Sequence, residues 1–294
     1  MPPSDSASVA ASHPSWGEAM AACGPFGEVV EEAGSTFLLG SCRDAPPTVI
    51  VRDCVTTMTA ARGLAGSGVL GPWGSVAAVE QGGGRGQLRR PWVSTPGNLH
   101  VSVVLPGPPA SGPWREALAD LRPLLLGYVF SEVLLELGAY AQLKWPNDLL
   151  LEGRKVGGIL IEEARNVVVL GMGLNLVASP PDDMMREDRS VPAGILQIPD
   201  HRLTALGLWR TLVTRGKSVY EYLLDDWTPA RFLVRVANRL AWLGQTVLVR
   251  EGGEGKYTAV VKGLSSNGGL VMSRGERDTV LYSGSIFPLR TPRF

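Results

Sequence analysis

Three short runs carry residue types suited to handling anions. The first is Glu80-Gln81-Gly82-Gly83-Gly84-Arg85-Gly86-Gln87-Leu88-Arg89-Arg90-Pro91-Trp92, with four glycines in five positions beside three arginines. No acid occurs from Gln81 to Trp114. Glycine backbone can approach an anion closely, and guanidinium groups fork onto phosphate or carboxylate. The second run is Lys144-Trp145-Pro146-Asn147-Asp148. Lys155 follows seven residues after the acid, in Arg154-Lys155-Val156-Gly157-Gly158-Ile159-Leu160, and a hairpin of that length can bring Asp148 and Lys155 together. The third run, Gly171-Met172-Gly173-Leu174-Asn175, ends a valine-rich stretch. Its glycines permit close backbone approach, and its amide both donates and accepts hydrogen bonds. Each run taken singly has a plain alternative: a surface loop, a salt-bridged turn, a strand end.

Elements must position these runs. Thr48 to Val51 reads as a strand, Thr57 to Ala65 as a helix closed by Gly66, and Ser75 to Val79 as a strand feeding the glycine/arginine loop. Leu99 to Leu105 alternates, with Leu99, Val101 and Val103 on one face, and Trp114 to Leu137 is a long amphipathic helix with a bend expected at Pro123. Leu143 to Leu151 reads as one strand, turning at Glu152-Gly153 into Lys155 to Glu162 and again near Arg165 into Val167 to Gly171. Adjacent strands of this kind predict an α+β fold, a mixed and mainly antiparallel sheet with helices to one side. Residues 179–191 read as a mobile loop, and Leu203 to Leu224 and Pro229 to Leu240 as helices. Five short strands between 246 and 289, separated by Gly/Ser/Asn turns, predict a small appended barrel. The domain boundaries expected are 1–44 for an N-terminal extension whose first fifteen or so residues are disordered, 45–242 for the main domain and 243–294 for the barrel.

Composition narrows the function classes. The 294 residues carry 28 Lys+Arg and 28 Asp+Glu, a net charge of +0, so no global field draws the chain to nucleic acid or to anionic membrane. The first basic residue is Arg43, which leaves the N-terminal stretch without the cations of a DNA-binding arm or a signal peptide. Cys23, Cys42 and Cys54 match no zinc spacing, so no metal site is expected. The setting that fits is cytoplasmic, with neither nucleic acid nor membrane as partner.

Together, and in this order, the Gly-Arg-Gly loop, Gly97-Asn98-Leu99, Lys-Trp-Pro-Asn-Asp, Lys-x-x-Gly-Ile-Leu and Gly-x-Gly-x-Asn resemble the biotin protein ligases, from about Val49 to the C-terminus. The resemblance implies a class II aminoacyl-tRNA synthetase-like sheet followed by an SH3-like β-barrel. It implies activation of biotin by Mg-ATP to biotinyl-5′-adenylate, then transfer to a lysine of a biotin carboxyl carrier protein. Carried over by position, Thr56, Thr57, Gln81 and Gly84 meet biotin, and Lys155 bridges the biotin carboxylate and the α-phosphate. Arg85, Gly86, Arg89, Trp92, Lys144 and Asn175 fall on the nucleotide side. Lys155, Arg85 and Asp148 form the catalytic set, with Asp148 either orienting and deprotonating the acceptor lysine or serving only as a salt bridge.

The chain departs from the family at Gln87 and Arg89, where an arginine and a glycine are common, and at Ser283-Gly284-Ser285, where a Gly-Glu pair is common. The first departure predicts slow but real turnover, or looser adenylate retention. The ligase-repressors' N-terminal DNA-binding domain is not expected, and a homodimer is left open. Two rivals remain: a lipoate or octanoate ligase or transferase of the same superfold, and a non-catalytic biotin- or adenylate-binding module.

Overall fold

The computed structural model describes residues 6–23, 26–32, 35–40, 45–87, 90–181, 191–200, 203–251 and 254–289. Two helices, α1 (Ser6–Ala11) and α2 (Pro14–Cys23), open the chain, followed by strands β1 (Phe26–Glu32) and β2 (Ser35–Gly40). The expectation of disorder over the first fifteen positions does not hold for α1, whose Val9 is fully buried in the main core. Strand β3 (Thr48–Cys54) leads into helix α3 (Thr57–Gly66), which Thr56 caps by accepting the Thr59 N–H at 3.0 Å. Strands β4 (Ser75–Gln81) and β5 (Leu99–Leu105) flank the glycine/arginine loop, and helix α4 (Trp114–Glu136) follows with Pro123 inside it.

The stretch read as one strand from Leu143 to Leu151 is two, β6 (Gln142–Lys144) and β7 (Asp148–Leu151), paired as a hairpin around a cis Trp145–Pro146 peptide. Proline has no N–H for a ladder, so the chain turns there. Strands β8 (Arg154–Ala164) and β9 (Val167–Leu174) come next, then helices α5 (Ala205–Asp226) and α6 (Pro229–Ala237), each capped by a threonine.

These strands form one nine-stranded sheet in the order β1-β2-β3-β4-β5-β9-β8-β7-β6, antiparallel except for the β3–β4 pair. One face carries Ile50, Ala77, Leu99, Val101 and Val103 into a large core with α4, α5 and Trp16 of α2. The other carries Val49, Val51, Val76, Ala78 and Val104 into a second core under α3. Helices therefore cover both faces rather than one, because β5 is buried along its whole length and needs partners on each side. On this second face α3 packs over β4, β5 and the Val169–Gly171 part of β9, which leaves the face open around Gly158 and Gly173. No helix among the described residues is long and apolar enough to cross a membrane.

The last five strands, β10 (Thr246–Glu251), β11 (Glu254–Leu264), β12 (Leu270–Arg274), β13 (Arg277–Leu281) and β14 (Ser285–Pro288), form a second sheet in the open order β13-β12-β11-β10-β14. Two of the contacts that seat it involve Gly268. The Trp145 indole N–H donates to Gly268 O at 3.0 Å, in the β11–β12 turn. Gly268 has φ 79°, and a Cβ there would lie 3.0–3.1 Å from Leu121 and Leu124, so only glycine fits that turn against α4.

Candidate active site

A cleft of about 930 Å³ opens on the uncovered part of the sheet. Its floor is set by register. His100 pairs with Gly173, Gly173 with Gly158, Gly158 with Asp148, and Asp148 with Lys144, a single row across β5, β9, β8, β7 and β6. Residues in such a row share a face. Two side-chain-free positions at its centre make a trough, with His100 at one end and the charged pair at the other.

Lys155 would face away from this trough if β8 were regular, being three residues from Gly158. Leu149 pairs with Gly157 but Leu150 pairs with Lys155, so β8 carries one extra residue at Val156. This bulge turns Lys155 back to the cleft face, a re-aiming that bulges commonly perform beside functional sites. Lys155 Nζ then sits 2.6 Å from Asp148 Oδ1, while Lys144 Nζ sits 2.7 Å from Asp148 Oδ2. Burial pushes the Asp148 carboxyl up, but the charges and hydrogen bonds of Lys144 and Lys155 together outweigh it. They hold the group well below the ordinary carboxylate range. Asp148 is thus an ionised bridge with both oxygens engaged. Asn147 is locked to β8 through its Nδ2, which donates to Ile159 O, and through Ile159 N–H, which donates to Asn147 O at 2.9 Å.

At the other end of the cleft the polar groups are neutral. Gln81 Oε1 accepts from the Thr57 backbone N–H at 2.9 Å and from its hydroxyl at 3.2 Å, and Gln81 Nε2 donates to Ser94 Oγ at 3.3 Å. Thr57 Oγ1 also lies 2.7 Å from Ser102 Oγ on β5. Thr56, at the mouth, donates its hydroxyl to Thr59 Oγ1 at 3.0 Å.

The glycine/arginine loop roofs the trough. Gly82 N–H donates to Cys54 O and Gly83 N–H to Val55 O, which pins its start; Gly86 N–H to Arg90 O and Trp92 N–H to Gly84 O fold it back on itself. The Trp92 indole lies directly over the floor glycines: a Cβ on Gly173 would meet its ring at 2.3 Å and one on Gly158 at 3.5 Å. Lys155 Nζ is 5.7 Å from the same ring's centroid. The indole N–H donates to His100 Nδ1 at 3.4 Å, so the imidazole's proton is assigned to Nε2, 3.2 Å from Thr95 O. Burial lowers the His100 pKa to about 4, which keeps the ring neutral.

The residues singled out from sequence largely converge. Thr56, Thr57, Gln81, Arg85, Gly86, Trp92, Lys144, Asp148, Lys155 and Asn175 all line the cleft. Gly84 does not: it is buried behind the roof, where a Cβ would lie 3.3 Å from Gln81 Nε2, and it backs Gln81 instead of facing the cleft. Arg89 lies outside the described residues, as do 182–190 of the loop expected at 179–191. Asn175 lines the cleft while tying its wall, with Nδ2 donating to Gly194 O at 3.0 Å. Sequence reasoning missed His100, Ser102 and the Val191–Leu196 segment. The first two had a signal, since they are the polar positions on the second face of an otherwise apolar strand. The segment had none, as its place follows from long-range bonds: Lys155 N–H to Pro192 O, Gly194 N–H to Lys155 O, and Leu196 N–H to Asn175 O.

Residues 56–176 match the Biotin/lipoate A/B protein ligase family. The biotin--[acetyl-CoA-carboxylase] ligase of Mycobacterium tuberculosis is 30% identical over 223 residues, 72% of this chain and 78% of that protein. Its counterpart from Paracoccus denitrificans is 28% identical over 234 residues, 77% of this chain and 92% of that protein. Among solved structures, the biotin protein ligase of Aquifex aeolicus in complex with biotin and ATP aligns with a TM-score of 0.64 at 25% identity. It covers 82% of this chain and 97% of that one. The chain belongs to the biotin protein ligase family.

Proposed function

We propose that this chain is an ATP-dependent biotin--[biotin carboxyl carrier protein] ligase working in two steps. First, a biotin carboxylate oxygen attacks the α-phosphorus of ATP, the bond from that phosphorus to the bridging oxygen breaks, and pyrophosphate departs with the electron pair. Second, the amine of a carrier lysine attacks the carbonyl of the resulting biotinyl-5′-adenylate. AMP leaves on its phosphate oxygen, and the new amide nitrogen gives up a proton. Magnesium enters as the ATP complex, held by the phosphates. One observation carries the reading: a glycine-floored trough runs from a neutral polar end at Thr57 and Gln81 to a cationic end at Lys155 and Lys144, in a chain of this family.

Each end suits one part of the reaction. The ureido ring of biotin takes the neutral end, where Thr56, Thr57 and Gln81 offer donors and acceptors and Gly84 backs Gln81. Its carboxylate reaches Lys155. Two anions must meet in the first step, so Lys155 and Arg85 neutralise charge as it concentrates, each contributing about 2–4 kcal/mol to the transition state. Gly86, Arg89, Trp92, Lys144 and Asn175 receive the nucleotide. Of the two roles open to Asp148, the ion pair is favoured over the general base. A carboxylate whose oxygens are both engaged by ammonium groups, and whose pKa is held low, is a poor proton acceptor.

The same reading takes 45–242 as the catalytic domain, 243–294 as an SH3-like barrel that brings Gly284 and Ser285 to the cleft, and 1–44 as an extension, in a cytoplasmic enzyme. The test is incubation with biotin, Mg-ATP and a carrier domain, read by streptavidin blot. Wild type should label the carrier, and Lys155→Ala should label it at least about a hundredfold more slowly. Stabilisation by lipoate but not biotin in a thermal-shift assay, or biotin binding without pyrophosphate release, would favour the respective rival.

A further inference from the structure

Asn98 does not line the cleft, yet it is 1% exposed and bonded on every side. Its Oδ1 accepts the backbone N–H groups of Leu176 at 2.8 Å, Val177 at 2.9 Å and Ala178 at 3.2 Å, and its Nδ2 donates to Ala178 O at 2.8 Å. Three donors on one oxygen fix a tripeptide as a unit. Its own N–H donates to Thr95 O at 3.1 Å, closing the turn at which the glycine/arginine loop rejoins the sheet. The neighbouring Gly97, at φ 93°, brings the two segments so close that a Cβ would lie 2.7 Å from Val177 Cγ2.

The junction joins two borders of the cleft. On one side is the loop that carries Arg85 and Trp92. On the other is the chain leaving Asn175, whose Nδ2 holds Gly194 O, while Gly194 N–H donates to Lys155 O. An unbroken series of bonds thus runs from the root of the roof through Leu176–Ala178, Asn175 and Gly194 to Lys155. If the root shifts, the roof loses its register with the floor.

We infer that Asn98 is a positioning residue for retention of the adenylate, fixing the roof loop relative to Asn175 and Lys155. The inference rests on the ligase reading above. It acts on the intermediate's residence rather than on bond-making, because Asn98 touches neither reacting group.

The test measures release of labelled biotinyl-adenylate, the KM for biotin, and the saturated rate of adenylate formation in wild type, Asn98→Ala and Asn98→Asp. Asn98→Ala removes the partner of four backbone groups at Leu176, Val177 and Ala178, so release and KM should each rise roughly tenfold, with the saturated rate changed less than about threefold. Asn98→Asp keeps the acceptor for three N–H groups and loses the bond to Ala178 O, so release should rise about twofold to threefold. A merely structural role would lower the melting temperature and leave these constants at wild-type values below it. Wild-type release from Asn98→Ala, or from Asn98→Asp if the alanine variant does not fold, overturns the inference. Failure of wild type to form any adenylate overturns the ligase reading and this inference together.

Discussion

The 144–148 hairpin and the 82–98 loop border the same cleft and hold their side chains differently. In the hairpin, Lys144 and Asp148 bond each other, Trp145 bonds Gly268 O, and Asn147 bonds Ile159 O. In the loop, Arg85, Gln87 and Arg90 are exposed, and the bonds that shape the described residues from Gly82 to Trp92 run mostly between backbone groups. Charge on the floor is therefore oriented before any ligand arrives, which avoids a reorganisation cost at the moment of reaction. Charge on the roof is left for the ligand to recruit, which suits a lid.

Breaking the floor should cost most. Asp148→Asn leaves two lysines without their shared counter-charge, so thermal or urea unfolding should report a loss of about 3 kcal/mol, and adenylate formation should fall with it. A loss under about 1 kcal/mol would mean that water already screens the pair. The folded-state pKa of Asp148 is depressed, so its stabilisation is present above the unfolded value near 4 and is lost only as pH falls below that.

His100 offers a smaller and separable effect. Its folded pKa of about 4 lies below the ordinary 6.5, so between those values the unfolded chain binds a proton that the folded chain refuses. Stability is complete above pH 6.5 and declines as pH falls toward 4, by on the order of 2 kcal/mol at pH 5. His100→Gln should flatten the melting temperature over that window, and an unchanged slope would remove His100 as the cause.

Trp145→Phe tests the hairpin's outer anchor. It keeps the ring but leaves Gly268 O unpaired, which should cost about 1 kcal/mol in unfolding measurements. The smallest effect belongs to the roof. Gln87→Arg adds a cation on an exposed side chain and should slow adenylate release by about twofold to fivefold, less at high salt. Equal release rates would show that the charge at this position is immaterial.

Much of this was legible beforehand for a local reason. The five strands of the second sheet, helix α3 with its Thr56 cap and helix α4 follow from periodicity, breakers and caps, signals that each segment carries within itself. The hairpin at Trp145–Pro146 and the β1–β2 pair escaped that reading. One is a break inside an apolar run, and the other is stabilised by joining a sheet edge that the segment does not contain.

The sequence by itself determined the family likeness, the three chemical runs and the order of the elements, because those are properties of neighbours along the chain. Tertiary structure alone decided that Val156 bulges so that Lys155 faces Asp148, and that Gly84 sits behind Gln81 instead of in the cleft. It also decided that Trp145 bonds a carbonyl 123 residues away and that Asn98 gathers a tripeptide beyond Asn175. Each of these depends on the register between strands distant in sequence. A shift of one residue in that register moves a side chain to the opposite face of the sheet, and no local pattern records it.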